Sequence, residues 1–310
     1  MEASYVKLVY EGVDITSEVH IRRCVYREAG GSRLDSLDIE LENAERWYRW
    51  KPQRDDHINA SLDNLTTGRM YLQSLVPENG KFRLLATSAP SVAALKKWAS
   101  FEKATLKQIM DSCSAELGMS AEIYGLDENA VYPYLLRKDE TCTAFLTRLL
   151  EWEGATLKCV SGRLAAIAID YAQGQRTSRT ISLLADQQGI MYCQQDRVRW
   201  AGVTVKTPHA SASAVDTAVN GIQHKIFSDL PARDAVTAGR WARGMLLTNN
   251  RKAETLQIAM TFDAALCALV RIDIQADENL GGKWLTADVE HDLKNEKTSL
   301  TLRRCIETIR

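Results

Sequence analysis

Leu37, Ile39 and Leu41 alternate with Asp38 and Glu40, a period of two that predicts a strand with one face in a core and the other in water or against a partner. Val6, Leu8 and Tyr10 alternate with Lys7 and Val9 in the same way, and Glu11-Gly12 turns the chain into Val13-Asp14-Ile15-Thr16. Gly30-Gly31-Ser32 before the 37–41 run and Asn43 after it are turn punctuation. Further runs at 58–62, 68–76 and 82–86 read as strands, so residues 1–90 predict a β domain.

After Pro90 the period changes. Trp98-Ala99-Ser100-Phe101 reads as short and extended. Thr105, followed three residues later by Gln108, has the spacing of a capping box, in which each side chain satisfies a backbone N–H at a helix start. Leu106, Ile109, Met110, Cys113 and Leu117 then form one apolar stripe, and Gly118 suits the left-handed position that ends a helix. A second helix is predicted to begin near Asp139, with Cys142, Phe145, Leu146, Leu149 and Leu150 on one face and Gly154 at its end. Segments 155–160 and 163–169 flank Ser161-Gly162, a two-residue loop suited to a hairpin. Helix, helix and hairpin predict a compact α/β insert over 91–172.

Strands return at 181–184, 189–193 and 203–205. The stretch 207–221, with Ala210-Ser211-Ala212-Ser213-Ala214, reads as a loose loop. A connecting helix near 231–248 carries Ala235, Ala238, Trp241, Ala242, Met245 and Leu246 on one face. Strands follow at 256–260, 270–274, 284–291 and 298–303, with Gly281-Gly282 between two of them. The predicted class is α+β, mainly β, in three parts: 1–90, 91–172 and 173–310.

Composition narrows the function. The chain has 310 residues, with 39 Lys+Arg against 40 Asp+Glu, a length that corresponds to about two domains. A net charge of −1 lacks the basic footprint from which nucleic-acid binding is argued. The apolar stretch 164–169 is far short of the ~20 residues of a membrane helix. The start, Met1-Glu2-Ala3-Ser4-Tyr5, has no basic segment or apolar block of a signal peptide, so a soluble, cytoplasmically made protein is expected. Seven cysteines, none closer than 17 residues to the next, form no C-x-x-C pair and read as small buried thiols.

The sequence has no G-x-S-x-G, no phosphate loop, no H-E-x-x-H and no G-x-G-x-x-G. Glu290-His291 is the one tempting pair, but adjacent strand residues point to opposite faces, so His291 is read as structural or interfacial. Asp55-Asp56 offers a carboxylate pair that reads better as a solvated turn. No catalytic, cofactor-binding or metal residue is assigned. The seven tryptophans are not spaced as a stacking platform for nucleic acid.

Four groups of residues carry a resemblance. The first is Gly12-Val13-Asp14-Ile15-Thr16, Asp35-Ser36-Leu37-Asp38-Ile39-Glu40-Leu41, Asn43 and Trp47. The second is Trp98-Ala99-Ser100-Phe101 leading to Thr105-Leu106-Lys107-Gln108-Ile109, with Gly118-Met119. The third is Phe145-Leu146, Arg148-Leu149-Leu150, Glu153-Gly154-Ala155, Leu157-Lys158 and Gly162-Arg163-Leu164. The fourth is Leu280-Gly281-Gly282-Lys283-Trp284, Val289-Glu290-His291 and Leu300-Thr301-Leu302. In this order the chain resembles the baseplate hub proteins of contractile phage tails, the late control protein D family, related to the hub portion of type VI secretion spike proteins. It departs from the family in Pro52-Gln53, where members usually have Gly after the Pro.

The resemblance implies two tail-tube-like β-barrel domains with the α/β insert between them, and a structural role without catalysis or cofactor. It implies a homotrimer whose six barrels adapt a six-fold tail tube to a three-fold central spike. Tape-measure protein and baseplate wedge components would be further partners, with DNA only as cargo and no membrane in the resting state. The expected location is the virion tail baseplate or a phage-derived particle, assembled in the bacterial host cytoplasm. No spike, LysM-like or lytic module follows Arg310, which reads as a stand-alone hub. A near-zero charge suits a channel that must not hold DNA phosphates. Trp284 and His291 are the candidate interface residues. The alternative is a tail-associated cell-wall hydrolase in which Glu290 would act.

Overall fold

Strand His20–Ala29 pairs antiparallel with Ser36–Glu42 on one side and with Gly282–Asp292, from the far end of the sequence, on the other. This joins both ends of the chain in one sheet of 14 strands in a computed structural model that describes residues 5–31, 33–42, 51–78, 80–183, 189–220, 223–276 and 279–310. Ser32, Asn43, Trp47, Leu184 and Gly221, used in the sequence reading, lie outside the described residues.

From Ser36–Glu42 the sheet continues through Lys81–Thr87, Met70–Glu78, His57–Leu62, Lys7–Tyr10 and Val13–Asp14. From Gly282–Asp292 it runs through Lys297–Arg304 and Glu254–Thr261 to Ile190–Gln194, with Arg271–Gln275 and Arg179–Ser182 branching beside it. The chain is mainly β, as its alternation predicts.

Partners opposite each other in an antiparallel pair point to the same face. Tyr26 is opposite both Leu37 and His291, Leu37 opposite Ala86, and His291 opposite Thr298. All five are buried, so two cores lie on the same side of the shared sheet. One gathers Leu8, Ile39, Leu41, Ile58, Phe82 and Leu84. The other gathers Leu256, Ile258, Ile272, Trp284, Leu300 and Leu302.

A third core sits beside them. Helix α1 (Leu106–Glu116) starts at Thr105 in the capping box read from the sequence, and α2 (Cys142–Trp152) is capped by Thr141. The hairpin Ala155–Val160/Arg163–Ala168 turns at Ser161 and Gly162, both with positive φ as a tight two-residue turn requires. Helix α3 (Ile169–Gly174) follows, and Ser120–Tyr124 pairs parallel to the second hairpin strand. Trp98–Phe101 is longer than expected: it lies in Lys97–Thr105, which pairs with Val131–Glu140, a strand the sequence reading did not anticipate.

This core also extends beyond the expected 91–172 insert. Helix α4 (Ala235–Asn250) and the sheet of Gly202–Lys206, Ser211–Val215 and His224–Phe227 belong to it. Ser211–Val215 corrects the loose loop expected at 207–221. Its small alternating residues let α4 lie close, with Gly239 approaching Ala212. Where α2 ends against α4, a Cβ on Gly244 would fall 2.1 Å from the Trp152 carbonyl oxygen, so only glycine permits that approach.

Candidate functional site

The face of the shared sheet opposite the two cores is polar and its charges are paired. Glu290 accepts from Arg27 Nε at 2.6 Å. Asp38 accepts two bonds of 2.8 Å from Arg83 and faces Arg23 at 3.3 Å. Glu40 meets Lys81 at 3.2 Å, and Arg22 meets Glu42 at 3.3 Å. Burial alone would raise the Asp38 carboxyl, but Arg83, with Arg23 and Arg27 behind it, outweighs that and holds it below the usual range. The face therefore presents dipoles and compensated ions across the strands. Such a surface is hydrated and has little net pull on a polyanion.

One buried polar cluster fastens the third core to the shared sheet, and a second ties elements together inside that core. Lys158, from the hairpin, donates to Asp35 at 2.8 Å, to Glu28 at 3.3 Å and to the Ala29 carbonyl at 3.3 Å. Asp35 also accepts from the Ala29 N–H, and Glu28 from the Ala268 N–H, so segments from all three cores meet there. The two carboxylates outweigh desolvation and raise the Lys158 pKa, while burial raises that of Asp35 in spite of the lysine. The second cluster centres on Glu153, which accepts from Tyr132 Oη at 2.8 Å, Trp241 Nε1 at 2.7 Å and Arg240 Nε at 2.5 Å. Asp35, Glu153 and Lys158 all belong to the residues that carry the family resemblance. The sequence reading assigned them no role, and Glu28 and Arg240 were not singled out.

The residues singled out for chemistry or interface lie apart from one another in role. Trp284 is fully buried: its Nε1 donates to the Leu280 carbonyl at 2.9 Å, and the Arg304 guanidinium covers the ring at 4.3 Å. His291 is fully buried too, with Nε2 donating to the Leu266 carbonyl and Nδ1 accepting from Thr298. Burial lowers its pKa and keeps the imidazole neutral. Neither side chain offers a surface to another chain, which corrects the interface expectation for both. Glu290 lies on the polar face and His291 in the core, as strand alternation requires. Asp55 and Asp56 are not a solvated pair: Asp55 accepts from Ser91 and Asp56 from Tyr10 and the Gln53 N–H. Cys24, Cys113, Cys142 and Cys159 are buried and Cys193 is exposed. Among the described residues no three His, Cys, Asp or Glu side chains gather into a metal-binding group.

This arrangement has counterparts of known structure. The tail protein from Neisseria meningitidis MC58 matches with a TM-score of 0.76 at 13% identity, covering 97% of each chain. The 43 kDa tail protein of prophage MuSo2 from Shewanella oneidensis matches with a TM-score of 0.74 at 12% identity, over 97% of this chain and 98% of that one. The chain has a phage tail-protein fold. The E. coli c3393 protein, a type VI secretion component similar to T4 tail proteins gp27 and gp5, matches with a TM-score of 0.64 at 12% identity, over 97% of this chain and 77% of that one. No family model and no curated protein matches the sequence.

Proposed function

We propose that the chain is a structural hub protein of the late control protein D type, a trimeric adaptor between a six-fold tail tube and a three-fold spike. One observation carries this reading: two β cores lie on one side of a single sheet whose other face is polar and charge-paired. Each core with its strands stands for one tube-like barrel, so three copies place six around an axis, with the polar faces toward a channel for DNA or tape-measure protein. The third core stands outside, where spike and baseplate wedge components dock.

Ring closure by cyclic symmetry needs unlike surfaces to meet. The main path of the shared sheet ends in Val13–Asp14 and Ile190–Gln194, which expose Val13 and Met191 at 63% each, and Arg179–Ser182 is a further edge on its branch. Unpaired backbone groups and exposed apolar side chains at opposite ends suit a head-to-tail contact. These edges take the place of Trp284 as the proposed contact. The proposed location is a virion tail or a phage-derived particle.

The test is light-scattering mass and negative-stain imaging of the chain alone and co-expressed with its tube and spike proteins. A three-fold ring with a central pore is expected. A dimer, or a monomer that stays monomeric with both partners present, refutes it. The hydrolase alternative has its own check: the protein should leave a peptidoglycan suspension unchanged, because Glu290 is held by Arg27, and Asp288, the second carboxylate lining the same cleft, is held by Arg33. Lysis that Glu290→Gln abolishes would overturn the structural reading.

A further inference from the structure

Beside the end of the polar face, a pocket of about 140 Å³ opens between the hairpin, strand Gly282–Asp292 and the C-terminal end of α4. Four cations line it, Arg33, Arg251, Lys252 and Arg303, against two carboxylates, Glu151 and Asp288. Asp288 is already taken by Arg33 at 2.9 Å. Among the described residues nothing bonds the guanidinium of Arg251 or of Arg303, and Arg303 Nε is enclosed without any partner. Loss of solvent works against the charge of Arg251, and the neighbouring Arg303 adds to it, while Asp288 and Glu151 pull the other way; burial likewise opposes the charge of Arg303, with Asp288 favouring it and Arg33 opposing.

A guanidinium keeps its proton at neutral pH, so these groups repel across a partly dry space instead of discharging. Arg251 and Arg303 are half-buried, and a partly desolvated charge without a hydrogen-bonded partner favours a counter-charge that fills the site. The end of α4 favours cations at 251 and 252 through its dipole, but that does not account for Arg303, which stands on a strand. The backbone closes tightly here as well. A Cβ on Gly30 would fall 2.5 Å from the Ala287 carbonyl oxygen.

We propose that this pocket binds a free tetrahedral oxyanion of the phosphate type, held by Arg251 and Arg303 with Lys252 at the mouth. Planar guanidinium forks match two oxygens of such an ion. A volume of about 140 Å³ takes one ion and a few waters, at ~30 Å³ per water, and is too small for a nucleic-acid backbone or a peptide strand. The net excess of two positive charges among the lining residues matches a dianion.

The experiment is titration calorimetry of the full chain with inorganic phosphate against chloride at constant ionic strength, with thermal midpoints measured alongside. Wild type should bind, and Arg251→Met and Arg303→Met should each weaken binding by about tenfold or more, the loss of one charge-assisted fork. Without phosphate, both variants should melt at or above the wild-type midpoint, because a repulsive charge is gone; a merely structural arginine would instead lower it. Lys294→Met, in an exposed turn, should bind as wild type does. Should a methionine variant not fold, Arg251→Lys and Arg303→Lys keep the charge without the fork and should weaken binding as well. No heat and no midpoint shift with phosphate in wild type, or equal affinity in every variant, overturns the proposal. So does displacement of phosphate by a short DNA duplex, which would make the nucleic-acid backbone the source.

Discussion

Replacing Lys158 with methionine tests how the third core is fastened to the shared sheet. Methionine fills much of the space but leaves Asp35, 1% exposed, and Glu28, 8% exposed, facing each other without a counter-charge. Breaking a buried pair from one side costs about 3–5 kcal/mol. At ~2.1 cal/mol/K per residue, a 310-residue chain unfolding as one unit has an unfolding entropy near 0.65 kcal/mol/K, so the midpoint should fall by roughly 6 °C at pH 7. The deficit should depend on pH. Burial already sets the Asp35 pKa above its ordinary value, and Lys158 pulls against that shift. A carboxyl raised on folding costs stability as pH rises through its folded value, so losing the lysine widens that window. Lys158 itself is raised, so its contribution is present throughout the neutral range and lost only as pH rises through its folded value. Calorimetric midpoints at pH 7 and pH 4 should show the smaller deficit at pH 4, and Asp35→Asn added to Lys158→Met should recover part of the loss. A variant that melts with wild type at pH 7, or one whose deficit grows in acid, would refute the reasoning.

Glu153→Gln should cost about 1–3 kcal/mol in urea unfolding, because Arg240 loses its counter-charge in a partly buried site; an unchanged midpoint would show that the bonds to Tyr132 and Trp241 suffice. Gly244→Ala should destabilise by about 1–3 kcal/mol and open the α2–α4 contact to limited proteolysis, since the added carbon meets backbone atoms that cannot move aside. Burial depresses the His291 pKa, so its contribution is present above the ordinary value of 6.5 and lost as pH falls through the folded value. His291→Gln should therefore flatten the decline in thermal midpoint between neutral and mildly acid pH, and an identical decline would assign it to other groups. Val13→Cys should cross-link under oxidation to the exposed Cys193 of a neighbouring copy, giving species no larger than three chains on a denaturing gel; a trimer that never cross-links would move the contact elsewhere.

Large residues on a strict period made much of this fold readable in advance. Leu37, Ile39 and Leu41 turn into one core, and the same alternation that exposed Asp38 and Glu40 to the reader builds the charged face. Thr105 with Gln108, and Ser161 with Gly162, specify their helix start and turn through local hydrogen bonds and backbone shape alone. Ser211–Val215 escaped because alternating Ser and Ala carry almost no hydrophobic contrast, although their small size is what α4 needs. Val131–Glu140 escaped because Pro133 and exposed Val131, Tyr134 and Leu136 blur its period. The Lys158 cluster is invisible for a different reason: its partners lie 123 and 130 residues away, and only the joined sheet brings them together. Trp284 follows Gly281-Gly282 at a strand start, a context that suggests exposure. What covers it comes from Arg304 and Tyr192, on two other strands.

The pairing of His20–Ala29 with Gly282–Asp292 sets a timetable for the chain as it leaves the ribosome. Arg27 and its partner Glu290 are separated by 263 residues, and synthesis at ~5–20 residues per second keeps them apart for roughly 13–50 s. For most of that interval the strands from Lys7–Tyr10 to Lys81–Thr87 are already made while His20–Ala29 keeps one side open, a template to which any other nascent copy could add. Arg27 on that waiting strand, still without Glu290, gives two such copies like charges to bring together. The arginine that later meets Glu290 thus acts first as a guard against premature pairing between chains.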